Sequence, residues 1–201
     1  MIERTSYIWY KLFTENQIPA DGTIIEVAPG REPKIGNALR LMGFHGIVYL
    51  IDPDQGAAHE IEGAYRQILP RATIKLIIKR LQDAEVGVVL PFGADALVAS
   101  HPFDDMVIDF GGDYALGIKN TVMIWNKFID DAKPAHFIAS QYPSRTLAVK
   151  RLFQRQNSGF AVLYELKNFY KKSSLEFHLE KEHGFKGDPK WWICAKNPKQ
   201  I

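Results

Sequence analysis

The chain reads as an α/β protein, with helices layered on both faces of a mainly parallel sheet. Three observations predict this. Short β-branched apolar runs recur along the 201 residues, and segments with helical periodicity separate them. The first two runs and the segment between them make a complete β-α-β unit within about thirty residues, so a right-handed crossover is expected. The last two runs lack a long crossover helix between them, which favours an antiparallel pair at the C-terminal side. Seven strands result.

Residues 23–28 and 46–51 are the first two strands, apolar enough to be buried on both faces. Between them, Lys34 to Phe44 places Ile35, Ala38, Leu39 and Met42 on one helix face, and Gly43 and Gly46 bracket its end. Ala58 to Leu69 is a second helix, with Ala58, Ile61, Ala64, Tyr65 and Ile68 at apolar spacing. Ala72 to Ile78 is a third strand, and Leu97 to Ala99, preceded by Asp95, is a short fourth. Asp105 to Phe110 and Asn120 to Ile129 are helical candidates, the second carrying Val122, Trp125, Phe128 and Ile129. Ala135 to Ser140 is a fifth strand. Ser144 to Arg155 reads as a helix capped by Ser144, with Leu147, Val149, Leu152 and Phe153 inward. Phe160 to Leu166 and Trp191 to Ala195 are the late strands, separated by the short charged stretch Leu175 to Glu182. Ahead of all these, Ile8, Trp9, Leu12 and Phe13 form one helical face, suited either to packing on the sheet or to a lid over a ligand.

Ligands of such sheets bind at the carboxyl ends of the strands. Glu26, Gly30 and Asp52 fall there, and Gly30 would let the backbone approach a ligand closely. An aspartate ending the second strand can accept two hydrogen bonds from a ribose diol. At these residues the chain resembles the class I S-adenosylmethionine (SAM)-dependent methyltransferases, a Rossmann-like superfamily. Their first motif has an acid followed by three glycines at alternating positions. Glu26 matches the acid and Gly30 the middle glycine, while Ala28 and Glu32 stand at the first and third glycine positions. The resemblance implies SAM as cofactor, with Glu26 near its methionine portion and Asp52 on the ribose. It makes Asp83 the candidate for the adenine amine. It also implies a mainly parallel sheet ending in an antiparallel strand, over a single domain of residues 1–201 in which residues 1–20 lead as a helical segment.

The segment Ser100-His101-Pro102-Phe103-Asp104-Asp105 follows the fourth strand and faces the same edge. Amine-methylating members often read Asn/Asp-Pro-Pro-Tyr/Phe there, and only the Pro-Phe half matches. Ser100 completes the expected cofactor-binding set of Glu26, Ala28, Gly30, Asp52 and Asp83. His101 is the candidate general base, since its unperturbed pKa lies near neutrality. Asp104 and Asp105 would orient it or contact substrate, or cap the following helix.

A nicotinamide-dependent enzyme is the competing reading, but G-x-G-x-x-G is absent: Ala28-Pro29-Gly30-Arg31-Glu32-Pro33 keeps one glycine of three. A SAM fold that has lost catalysis is the other alternative. No zinc spacing is present around His101, His178 or His183, and the single Cys194 excludes an internal disulfide, so no metal is expected. The content is 46% hydrophobic and 24% charged, ordinary for a globular protein, and no apolar stretch reaches membrane-spanning length. A cytoplasmic protein without membrane contact is expected. Net charge is +2, so no global field argues for nucleic acid, although Lys167-Asn168-Phe169-Tyr170-Lys171-Lys172 interleaves basic and aromatic residues. A small molecule is favoured over nucleic acid as methyl acceptor. The exposed aromatics leave a homodimer open.

Overall fold

A computed structural model describes residues 4–100, 106, 114–141, 161–165 and 191–196, the last two segments by backbone pairing. The strands are β1 (Thr23–Val27), β2 (Ile47–Ile51), β3 (Thr73–Ile77), β4 (Ala96–Ser100), β5 (His136–Gln141), β6 (Ala161–Glu165) and β7 (Trp191–Lys196). Five of them form a parallel sheet in the order β3-β2-β1-β4-β5. Beyond β5, β7 pairs antiparallel with it and β6 pairs antiparallel with β7. The helices are α1 (Arg4–Glu15), α2 (Lys34–Leu41), α3 (Gln55–Ile68) and α4 (Tyr114–Ala132).

The period-two pattern of the strands divides the core in two. Ile24, Val48, Leu50, Val98 and Ile138 face α1, α2 and α3. Their neighbours Ile25, Tyr49, Ile51, Leu97 and Phe137 face α4, where Trp125 and Phe128 cover them. Both faces are therefore apolar, as a parallel sheet requires. Trp9 and Phe13 of α1 are fully buried in the first of these clusters, with ring centroids 5.7 Å apart. The leading helix packs on the sheet, and the lid alternative does not apply to it.

Local chemistry sets the helix ends. α2 stops in a Schellman turn: the Phe44 N–H donates to Leu39 O at 3.0 Å, the Gly43 N–H to Arg40 O at 3.0 Å, and Gly43 takes φ 69°. α3 starts three residues before the apolar pattern suggested. Asp54 caps it, its carboxylate accepting from the Gly56 and Ala57 N–H groups at 2.9 and 3.1 Å. α4 is longer at both ends than Asn120 to Ile129, and it ends where Lys133 turns to φ 47° ahead of Pro134. Of the predicted helix from Asp105 to Phe110, Met106 alone is described, and it is helical. The predicted helix from Ser144 to Arg155 and the stretch Lys167 to Lys172 lie outside the described residues.

The amino ends of β1, β2 and β4 meet tightly. Asp95 accepts from the Thr23 N–H at 2.7 Å and so ties the entrance of β4 to β1. A Cβ on Gly46 would lie 2.0 Å from Gly22 O and 2.6 Å from the Asp21 carbonyl carbon, both backbone atoms without freedom to retreat. Gly46→Ala should therefore cost about 3 kcal/mol or more of stability in urea unfolding. Gly63 lies exposed inside α3 with nothing within 4 Å of an added Cβ, so Gly63→Ala should stabilise by about 1 kcal/mol in the same assay.

Candidate functional site

The strand order reverses between β1 and β4, so the loops leaving these two strands run in opposite directions and open a crevice between them. A cavity of about 650 Å³ occupies this crevice. Its walls include Ala28, Gly30, Asp52, Leu81, Ser100 and Met106. That size suits a nucleoside-sized ligand.

The turn after β1 is held at its root, where the Ala28 N–H donates to Ile51 O at 2.8 Å. Ala28 then takes φ 51° and Gly30 φ 66°. Both lie in the left-handed region, which costs a residue with a Cβ roughly 1–2 kcal/mol. Ala28 thus holds a conformation that favours glycine. A Cβ on Gly30 would meet nothing within 4 Å, so backbone angle, rather than crowding, calls for glycine there. Glu32, at the third glycine position, keeps its side chain exposed, 2.8 Å from Lys34 Nζ.

Two acids follow β2, and both line the cavity. Asp52 is buried on the cavity wall, and its Oδ1 accepts from the Asp54 N–H at 2.9 Å. Asp54 caps α3. The exit of β2 is thereby fixed, and the Asp52 carboxylate is held at the strand end.

Glu26 behaves differently from the sequence expectation. Its side chain belongs to the face of the sheet under α2 and α3, is 1% exposed, and does not line the cavity. The Tyr65 hydroxyl of α3 donates a hydrogen bond to it. The Gly36 amide in the first turn of α2 donates in turn to the Tyr65 hydroxyl. Burial raises the Glu26 carboxyl to about 8; the Tyr65 hydrogen bond opposes the rise and the negative charge of Asp52 adds to it. Burial and the neighbouring Glu26 hold the Tyr65 phenol well above its ordinary range. In sequence Tyr65 read as one more apolar position of α3. Its partner across the sheet layer is visible only in three dimensions.

Asp83 lies on the far side of the short 3₁₀ turn Leu81–Asp83, exposed and facing a second, shallower groove toward α4. Its neighbours Leu81 and Gln82 form the cavity wall instead. Ser100 lines the cavity at the end of β4, its Oγ 3.4 Å from Ser140 Oγ of β5. Met106 closes the apolar side, and its sulfur accepts from the Trp125 indole N–H at 3.2 Å. Leu81, Gln82 and Met106 carried no motif and were not singled out in the sequence. His101, Asp104 and Asp105 lie outside the described residues, as do His178 and His183. Among the described residues no cluster of three or more metal-ligating side chains occurs, and no helix is long and apolar enough to cross a membrane.

No family model and no curated protein matches the chain. Solved structures do. A candidate rRNA methylase from Clostridium thermocellum superposes with a TM-score of 0.61 at 11% identity, covering 98% of this chain and 97% of its own. The methyltransferase domain of bacterial CtHen1-C gives 0.58 at 15% identity, covering 96% of both chains. The glycopeptide N-methyltransferase MtfA, solved with sinefungin, gives 0.57 at 10% identity, covering 96% of this chain and 87% of its own. At such identities the likeness is one of fold: the chain has the class I methyltransferase fold.

Two measurements probe the local chemistry. Glu26 is protonated in both folded and unfolded chains below about pH 4.5, but between 4.5 and about 8 only the folded chain keeps its proton. Its contribution to stability is therefore full in acid and lost as pH rises to about 8, a loss of up to a few kcal/mol. Urea unfolding across this range should show the decline in the natural chain and a flatter profile in Glu26→Gln. Separately, Ala28→Gly should raise stability by about 1 kcal/mol by relieving the left-handed strain.

Proposed function

We propose that the protein is a SAM-dependent methyltransferase, acting over a single domain of residues 1–201 by direct displacement onto a small-molecule acceptor. One observation carries this reading: the cavity lies where the strand order reverses, with a left-handed turn on one wall and the β2 aspartate on the other. The methyltransferase likeness of the solved structures supports it, as does the sheet's continuation by an antiparallel pair after five parallel strands.

The residues present fit that cofactor. Asp52, held at the strand end by the Asp54 amide, would accept from vicinal hydroxyls. Leu81 and Met106 offer apolar surface to a base or a thioether chain. Asp52 puts a carboxylate on the cavity wall, which suits a ligand that carries a positive charge. When bound, SAM supplies a methyl group made electrophilic by its sulfonium.

The chain's own tasks are to orient, to exclude water and to move a proton. Ala28 and Gly30 shape the floor under the ligand, and Ser100 stands at the exit of β4, on the acceptor side. His101 is the candidate base and Asp104 and Asp105 the candidate acceptor contacts, because they directly follow Ser100 in the chain.

The test is calorimetric titration with SAM, S-adenosylhomocysteine and NAD. SAM should bind in the micromolar range. Asp52→Ala should weaken it about 10- to 100-fold, the worth of charge-assisted hydrogen bonds to a diol. Binding of NAD in place of SAM would overturn the reading. SAM binding without methyl transfer to any acceptor would leave a degenerate binding protein.

A further inference from the structure

A carboxyl buried without a cation keeps its proton until a positive charge arrives. Among the described residues, the surroundings of Glu26 meet this condition. From α3 it faces the neutral phenol of Tyr65, from α2 the Gly36 amide acts through that phenol, and from the end of β2 it feels Asp52. Among the described side chains, the cations on the surrounding elements are engaged elsewhere or, like Arg40 at the end of α2, exposed. Lys34 of α2 pairs with Glu32, and Arg66 of α3 with Glu62. Lys11 of α1 lies over the Tyr7 and Tyr10 rings. Lys75 of β3 lies over the Tyr49 ring on the opposite sheet face. β4 carries no charged residue. Among the described residues Tyr65 is the sole hydrogen-bond partner of the Glu26 side chain.

Glu26 nevertheless stands close to the cavity. The next two residues, Val27 and Ala28, line it, and Asp52, which couples electrostatically to Glu26, does so too. We infer that the Glu26–Tyr65 pair makes ligand uptake proton-linked: a cationic ligand in the cavity ionises Glu26 and one proton leaves to solvent. This rests on the methyltransferase reading, and it adds to that reading a device that separates cofactor from product. SAM carries a net positive charge through its sulfonium, whereas the thioether product S-adenosylhomocysteine carries none. The ionised carboxylate, stabilised by the Tyr65 hydroxyl, favours the former. Coupling of this kind is reciprocal, so SAM affinity must rise with pH while Glu26 is still protonated in the empty protein.

The test is titration of the whole chain at about pH 6.5, well below the buried carboxyl's value, in buffers of different ionisation enthalpy. SAM should release up to one proton per molecule bound and S-adenosylhomocysteine markedly less. SAM affinity should rise by up to about tenfold per pH unit toward neutrality while that of the product stays level. In Glu26→Gln, which keeps an acceptor for Tyr65, the proton release and the pH slope should vanish while SAM still binds. In Tyr65→Phe the release should persist but shift to higher pH, because the anion has lost its donor. Equal proton release by both ligands, or undiminished release in Glu26→Gln, would overturn the linkage and leave the cofactor assignment standing. Failure of both ligands to bind would overturn the cofactor assignment, and the linkage with it.

Discussion

The hydrogen bond from Tyr65 to Glu26 is the constraint on which the site depends. It reaches from α3 to the central strand and, through the Gly36 amide, to the first turn of α2. Three elements that flank the β1 turn are thereby locked together at one point. A buried carboxyl without a donor is costly, so the three cannot move apart without exposing or orphaning it. The Tyr65 ring lies so close to Gly36 that a Cβ there would approach within 2.9 Å, which fixes the helix spacing as well. The Ala28–Gly30 turn inherits its position from this lock.

Above the lock, the topology does the rest. A parallel sheet sends every strand's carboxyl end to one edge, and the reversal between β1 and β4 parts the loops there. The cavity follows from chain direction rather than from any one side chain. This explains how proteins with 10 to 15% identity share the architecture. Apolar alternation and turn geometry tolerate wide substitution. Ala28 in a left-handed conformation is one such substitution, strained but held by the hydrogen bond from its N–H to Ile51 O.

Charge distribution at the site follows a similar economy. Asp52 and Asp54 are two residues apart and both line the cavity, but Asp54 also caps α3. Glu26 and Asp83, both assigned to the ligand by motif position, point elsewhere. Glu26 turns under the helices because side chains alternate along a strand and Val27 takes the other face. Asp83 turns outward because the tight 3₁₀ turn presents Leu81 and Gln82 to the cavity and rotates the third residue away.

The sequence by itself determined the fold class, the five parallel strands, the apolar face of α1 and the places of Gly30, Asp52 and Ser100 at the carboxyl edge of the sheet. These are local properties: hydrophobic period, strand length and turn residues are set by neighbours a few positions apart. Only the tertiary structure decided the partner of Glu26, the far-side placement of Asp83 and the recruitment of Leu81, Gln82 and Met106. Each of these depends on contacts between residues remote in the chain. Glu26 and Tyr65 are 39 positions apart, and their meeting is fixed by how α3 lies across β1. A one-dimensional pattern records which face a residue takes, and the packing of one element on another decides what it meets there.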